Sequence, residues 1–130
     1  MGESSRRFDS CHFRLGEALI AIDFDGTIAE YDGWTEPADL GKPIPGAIEF
    51  IRVLQKAGYP LAILSARAMN PVGKRAIEQW VVEYGLSDAI EYVTYEKSPD
   101  FDLIIDDRAI RFEGDYRDTL KQIIKTGRGK

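Results

Sequence analysis

Cysteine, histidine, positive charge and long apolar runs are what this chain has little of. One cysteine, Cys11, in 130 residues excludes a disulfide within the chain, and with it the disulfide-stapled class of small secreted domains. A reducing, cytoplasmic setting is expected. The one histidine, His12, sits in a polar stretch beside a phenylalanine, which argues against His-rich metal sites and histidine-based catalysis. No apolar run approaches the roughly 18 residues of a membrane helix. The opening residues MGESSRRFDSCHF hold no apolar segment of a secretory signal, and Met-Gly there reads as an ordinary start rather than a myristoylation site, so no membrane partner is expected. Seventeen Lys and Arg against 22 Asp and Glu leave a net charge of −5. That balance disfavours a general polyanion-binding surface while leaving room for a local basic patch. The sequence also lacks internal repeats and low-complexity tracts.

What is present is an alternation of apolar runs and amphipathic segments in a chain of one-domain length. Residues 1–14 are polar and irregular and read as an N-terminal arm, 15–126 as the domain, and 127–130 as a basic tail. The unbroken run 18–22 (ALIAI) predicts a central parallel strand. Residues 29–45, rich in Gly, Pro and acids, predict a long loop. Ala47, Ile48, Ile51 and Leu54 recur at helical spacing over 46–57, with Gly58 as a stop. Further strands are expected at 60–64 (PLAIL), 90–95 (IEYVTY) and 102–105 (DLII), with a short fifth at 109–112. Asn70-Pro71 is an N-cap followed by a first-turn proline, opening a helix to about residue 84, where Trp80, Ile77, Val81 and Tyr84 read as core. Asp115 caps a last helix with basic residues at its end. This order predicts an α/β domain, Rossmann-like, with a mainly parallel sheet flanked by helices.

In such sheets ligands bind beyond the carboxyl ends of the strands, and those ends collect one kind of chemistry here. Asp23, Asp25, Gly26 and Thr27 follow the first strand. Ser65 and Arg67 follow the second, Lys97 lies beyond the third, and Asp106, Asp107 and Arg108 follow the fourth. The opposite ends carry nothing comparable. Four carboxylates, a lysine, a hydroxyl and two arginines suit phosphoryl transfer with Mg²⁺, a hard cation that takes one or two carboxylates beside waters and phosphate oxygens. The cation and Lys97 would neutralise a phosphate and its transition-state charge. A carboxylate can attack phosphorus, and a second carboxylic acid can protonate the leaving oxygen and later activate water. Acids at i and i+2 of an extended segment point to the same side. Gly26 permits the turn that follows, and backbone N–H groups there could cradle phosphate. Taken singly, Asp23 and Asp25 are also ordinary turn formers, Ser65 is also an ordinary turn cap, and Arg67 stands between phosphate contact and local salt bridge.

The stations Asp23-Phe24-Asp25-Gly26-Thr27, Ser65 after an apolar strand, Lys97, and Ile104-Ile105-Asp106-Asp107 resemble, in order, the four motifs of the haloacid dehalogenase (HAD) superfamily. The resemblance spans residues 18–108. It implies an HAD-like domain in which Asp23 is the nucleophile and Asp25 the general acid/base. It also implies that Asp23, Asp106, the backbone carbonyl of Asp25 and, directly or through water, Asp107 hold Mg²⁺. Ser65, Lys97, Gly26, Thr27 and Arg67 are the implied phosphate-binding residues. An acid at position 25 is typical of the phosphatase and phosphomutase members. The intervals from Asp25 to residue 46 and from Ser65 to Lys97 are too short for a cap domain, so a capless member with an open site is implied, which leaves room for a homo-oligomer to cover it. Tyr31, Trp34 and Tyr95 could line that site. Arg111–Gly114 after Asp-Asp-Arg is similar to small capless members and to the phosphatase half of polynucleotide kinase-phosphatases.

The expectation is a Mg²⁺-dependent phosphomonoester hydrolase acting on a small phosphorylated substrate, a nucleotide or sugar phosphate. A polynucleotide 3′-end phosphatase or a phosphotransferase would share the same residues. A phosphoacceptor signalling domain of the response-regulator kind would need an acceptor Asp after its third strand, where this chain has Tyr92-Val93-Thr94. A non-catalytic binding protein would not need every catalytic position filled.

Overall fold

The short strand β1 (Ile20–Ile22), buried at all three positions, organises the rest of the domain. The computed structural model describes residues 17–127. On one side of β1 lies β2 (Leu61–Leu64), itself paired with β3 (Ile90–Thr94), and on the other lies β4 (Leu103–Ile105). The sheet order is β3-β2-β1-β4, and every pairing is parallel. Ile22 stands opposite Ile63 on one side and Ile105 on the other. Parallel strands need crossovers, and helices α1 (Ala47–Lys56) and α2 (Pro71–Glu83) supply the first two. Helix α3 (Tyr116–Thr126) follows β4.

Local chemistry explains the boundaries. Asn70 Oδ1 accepts from the N–H groups of Val72 and Gly73 at 2.8 and 3.4 Å, with Pro71 in the first turn. Asp115 Oδ1 does the same for Arg117 and Asp118 at 2.9 and 3.2 Å. Ile20, Ile22 and Phe24 pack with Ile51 of α1 and with Ile77, Trp80 and Val81 of α2 in the main core. Phe24 meets the edge of Trp80 at 4.8 Å between ring centroids. Trp80 also donates through Nε1 to the Gly41 carbonyl at 2.8 Å, which ties the 29–45 loop to α2. The opposite sheet face is thinner. Ala21, Ala62 and Phe101 form its buried cluster, and α3 buries none of its side chains.

The strand expected at 109–112 does not form. The Asp106 carboxylate accepts the Arg108 N–H at 2.7 Å, which turns the chain directly after β4. Phe112 then stacks on Tyr116, 5.0 Å away, instead of entering a ladder. The arm at 1–14, with Cys11 and His12, and the tail residues 128–130 lie outside the described residues. No cap domain interrupts the described chain, and none of its helices is long and apolar enough to cross a membrane.

Candidate active site

Because all four strands run in one direction, the residues after β1, β2, β3 and β4 meet at one edge of the sheet. The order reverses at β1: β2 and β3 were added on one side, and β4 returns to the other. Such a reversal opens a crevice at the carboxyl ends of the two flanking strands. Asp23 and Asp106 occupy those ends. The Asp23 N–H donates to the Ile105 carbonyl at 2.8 Å, continuing the β1–β4 ladder by one step. One oxygen each from Asp23, Asp106 and Asp107 can be chosen so that all three lie within 4.8 Å of one another. Burial, followed by the charges of Asp106, Asp107 and Asp25, raises the Asp23 carboxyl from 3.8 to about 6. Gly26 suits this spot because its φ is +81°, a conformation that side-chain-bearing residues rarely adopt; a Cβ there would also lie 2.7 Å from Asp107 Oδ2, the mobile end of an exposed side chain.

Phe24 is fully buried in the core, and strand alternation therefore turns Asp23 and Asp25 away from it. The chain then folds into a tight turn. The N–H groups of Thr27, Ile28 and Ala29 all donate to the Phe24 carbonyl, at 3.2, 3.0 and 3.0 Å, and Gly26 N–H donates to Ala29 at 2.8 Å. The N–H groups of Gly26 and Thr27, expected to cradle phosphate, are thus engaged inside the turn. Thr27 Oγ1 and Asp25 Oδ1 are buried with no hydrogen-bond partner.

Ser65 continues the sheet by donating its N–H to the Thr94 carbonyl at 2.9 Å. Its buried hydroxyl oxygen accepts the Arg67 N–H at 3.2 Å, capping a short 3-10 helix, Ala66–Met69, that the sequence reading did not anticipate. As an acceptor in that bond, the hydroxyl keeps its own proton for donation to a ligand. Arg67, expected among the phosphate binders, has its side chain 2% exposed and paired with Asp25 Oδ2 at 2.7 Å. Its Nη1 donates to the carbonyls of Glu36 and Pro37 at 2.9 and 3.1 Å. Its guanidinium carbon lies 4.7 Å from the Trp34 ring centroid. The salt-bridge role is the one this geometry realises. Gly73 allows α2 to approach, since a Cβ there would lie 2.3 Å from the Arg67 carbonyl oxygen.

Lys97 is exposed on the segment after β3, at the same sheet edge but on the outermost strand. Arg67 also borders a cavity of about 400 Å³ framed by Tyr31, Trp34, Asp39 and Lys42 of the long loop. The carbonyl contacts of Glu36 and Pro37 had no sequence signal, because any residue type supplies a carbonyl. The Pro at 37 and Asp39, whose carboxylate accepts from Thr35 Oγ1 at 2.5 Å, mark only that the segment turns.

No family model matches the chain, and no curated protein matches it. Among solved structures it is similar to a conserved protein from Bacteroides thetaiotaomicron, at 28% identity over 83% of this chain and 90% of that one, with a TM-score of 0.53. The likeness agrees with the architecture of this chain, a single α/β domain, Rossmann-like in strand order, with an all-parallel four-stranded sheet, three helices and no cap among the described residues.

Proposed function

We propose that the chain is a Mg²⁺-dependent phosphomonoester hydrolase that works through an aspartyl-phosphate on Asp23. The observation that carries this reading is the convergence of Asp23, Asp106 and Asp107 within 4.8 Å at the point where strand order reverses, with Asp25 two residues on. The HAD resemblance of the motifs from Asp23 to Asp107 supports the same assignment of roles.

The acidic trio suits a divalent cation in donor type and in charge. Its donors are hard carboxylate oxygens, and the Asp23 carboxyl is raised first by burial and then by the neighbouring acids, whose charge a cation would offset. Asp23, Asp106 and Asp107, with the Asp25 carbonyl, are the residues that would hold Mg²⁺. When bound, the ion supplies charge neutralisation at the phosphate. In the first half-reaction an Asp23 oxygen attacks phosphorus, the bond from phosphorus to the leaving oxygen breaks, and Asp25 gives that oxygen its proton. In the second, Asp25 takes a proton from water as the water oxygen attacks phosphorus, the bond to Asp23 breaks, and inorganic phosphate departs. Ser65 Oγ–H and the Lys97 ammonium bind the non-reacting phosphate oxygens. The net charge of −5 and the acids Glu30, Asp32 and Asp39 around the neighbouring cavity favour a small substrate over a polynucleotide. A cytoplasmic setting fits the single cysteine.

The test is phosphate release from an aryl phosphate and from a panel of nucleotide and sugar monophosphates, with Mg²⁺ or EDTA, for wild type and Asp23→Asn. Metal-dependent release that disappears in the variant is the expected result. Release that persists in Asp23→Asn refutes the covalent route.

A further inference from the structure

Arg67 is the one buried cation among the described residues. A guanidinium is charged throughout the accessible pH range, and burying it is unfavourable unless its charge and donors are met. Here the charge, Nε and Nη1 are met from separate directions. Nε donates to Asp25 Oδ2 at 2.7 Å, Nη1 donates to the carbonyls of Glu36 and Pro37, and Trp34 covers the flat face. The Asp25 side chain is 19% exposed, yet its Oδ1 is closed to solvent and has no partner. Oδ1 is thus shut away from any substrate, and Oδ2, the remaining carboxyl oxygen, is the one that Arg67 holds. Nε and Nη1 are committed to these internal contacts, so a phosphate could take either only by displacing them.

We infer that Arg67 is a positioning residue: its guanidinium sets the direction of Asp25 Oδ2 and fastens the 34–37 segment of the long loop to that acid. The assignment rests on the reading of Asp25 as the acid/base of a phosphomonoesterase. Trp34 then serves as a lid on the arginine rather than as a stacking platform for substrate on that face. A misdirected Asp25 fails to protonate the leaving oxygen as its bond to phosphorus breaks. Esters of strongly acidic alcohols tolerate that failure because their oxyanions leave without a proton. Alkyl esters do not.

The test compares kcat/KM, which reports the steps through leaving-group departure, for dinitrophenyl phosphate and an alkyl phosphate in the presence of Mg²⁺. Arg67→Ala is expected to lower the alkyl value by about 10²-fold and the dinitrophenyl value by less than about threefold, as loss of general-acid action alone requires. In the Asp25→Asn background Arg67→Ala is expected to cost nothing more, since a residue that acts through Asp25 has nothing left to position. Equal loss on both esters, or a further loss on top of Asp25→Asn, overturns the assignment. Arg67→Lys keeps the charge but loses the fork of donors. It is expected to show the same selective loss on the alkyl ester, and it stands in if the thermal melt of Arg67→Ala shows an unfolded chain. A wild-type protein inactive on both esters overturns the hydrolase reading and this assignment with it, whereas unselective loss in the variants overturns this assignment alone.

Discussion

Asp23 and Asp25 are two residues apart and live in opposite surroundings. Asp23 is half-buried and faces Asp106 and Asp107, and burial first, then those charges, raises its carboxyl to about 6. Asp25 faces Arg67 at 2.7 Å, under a loop that wraps the arginine. One side of the site is a set of like charges, which on the proposed reading a divalent cation would complete. The other side carries its cation within the fold. Two carboxylates can take different chemical roles when their environments differ in this way. Phe24, fully buried between them, keeps both on one side of the strand while the two neighbourhoods stay separate.

The sharpest way to break the contrast is to neutralise the member with a built-in partner. Asp25→Asn is expected to lower turnover of alkyl phosphates by about 10²–10⁴-fold, the usual range for a lost general acid, as read by steady-state phosphate release. An unchanged rate removes Asp25 from the mechanism. Next in size, Asp106→Ala is expected to weaken Mg²⁺ binding by at least about tenfold, since even outer-shell changes at metal sites reach that range. Calorimetric titration with MgCl₂ reads it directly, and an unaltered isotherm dismisses Asp106 as a ligand.

The smallest effect concerns stability. A carboxyl raised from 3.8 to about 6 in the folded chain favours the protonated fold. Its stabilisation is complete below the unfolded value and is lost as pH rises through the folded one. Asp23→Asn should therefore be more stable than wild type at neutral pH in EDTA, by about 1–2 kcal/mol after allowance for solvent screening. The gain should vanish below the unfolded value of 3.8 and shrink in wild type saturated with Mg²⁺, where binding favours the ionised fold. Urea unfolding at two pH values decides it; a gap of equal size at both would mean that the Asp23 carboxyl is not raised in the fold.

Much of the fold was legible because its signals are local. ALIAI, PLAIL and DLII are apolar runs at strand length, and Asn70 and Asp115 cap helices whatever the tertiary context. The acidic trio was legible through topology, since parallel strands bring every carboxyl end to one edge. Two things were not. The 109–112 segment has strand-forming residues, but a strand needs a partner edge, and the Asx turn at Asp106 directs the chain away from one. Arg67 offered both of its roles to a reader of the sequence. The choice between them lies in the Glu36 and Pro37 carbonyls and the Trp34 ring, thirty or so residues upstream, which no local pattern couples to it.

The placement of β4 bears on how the site comes into being. Leu19 N–H and the Asp102 carboxylate, joined at 2.9 Å, are 83 residues apart in sequence, whereas β2 reaches β1 across a shorter interval that holds one helix. Long loops close late and at an entropic cost. Asp23 meets Asp106 only when this most distant pairing is in place, so the acidic trio belongs to the complete fold. Without the β1–β4 pairing, Asp23 and Asp25 follow β1 with neither Asp106 nor Asp107 beside them.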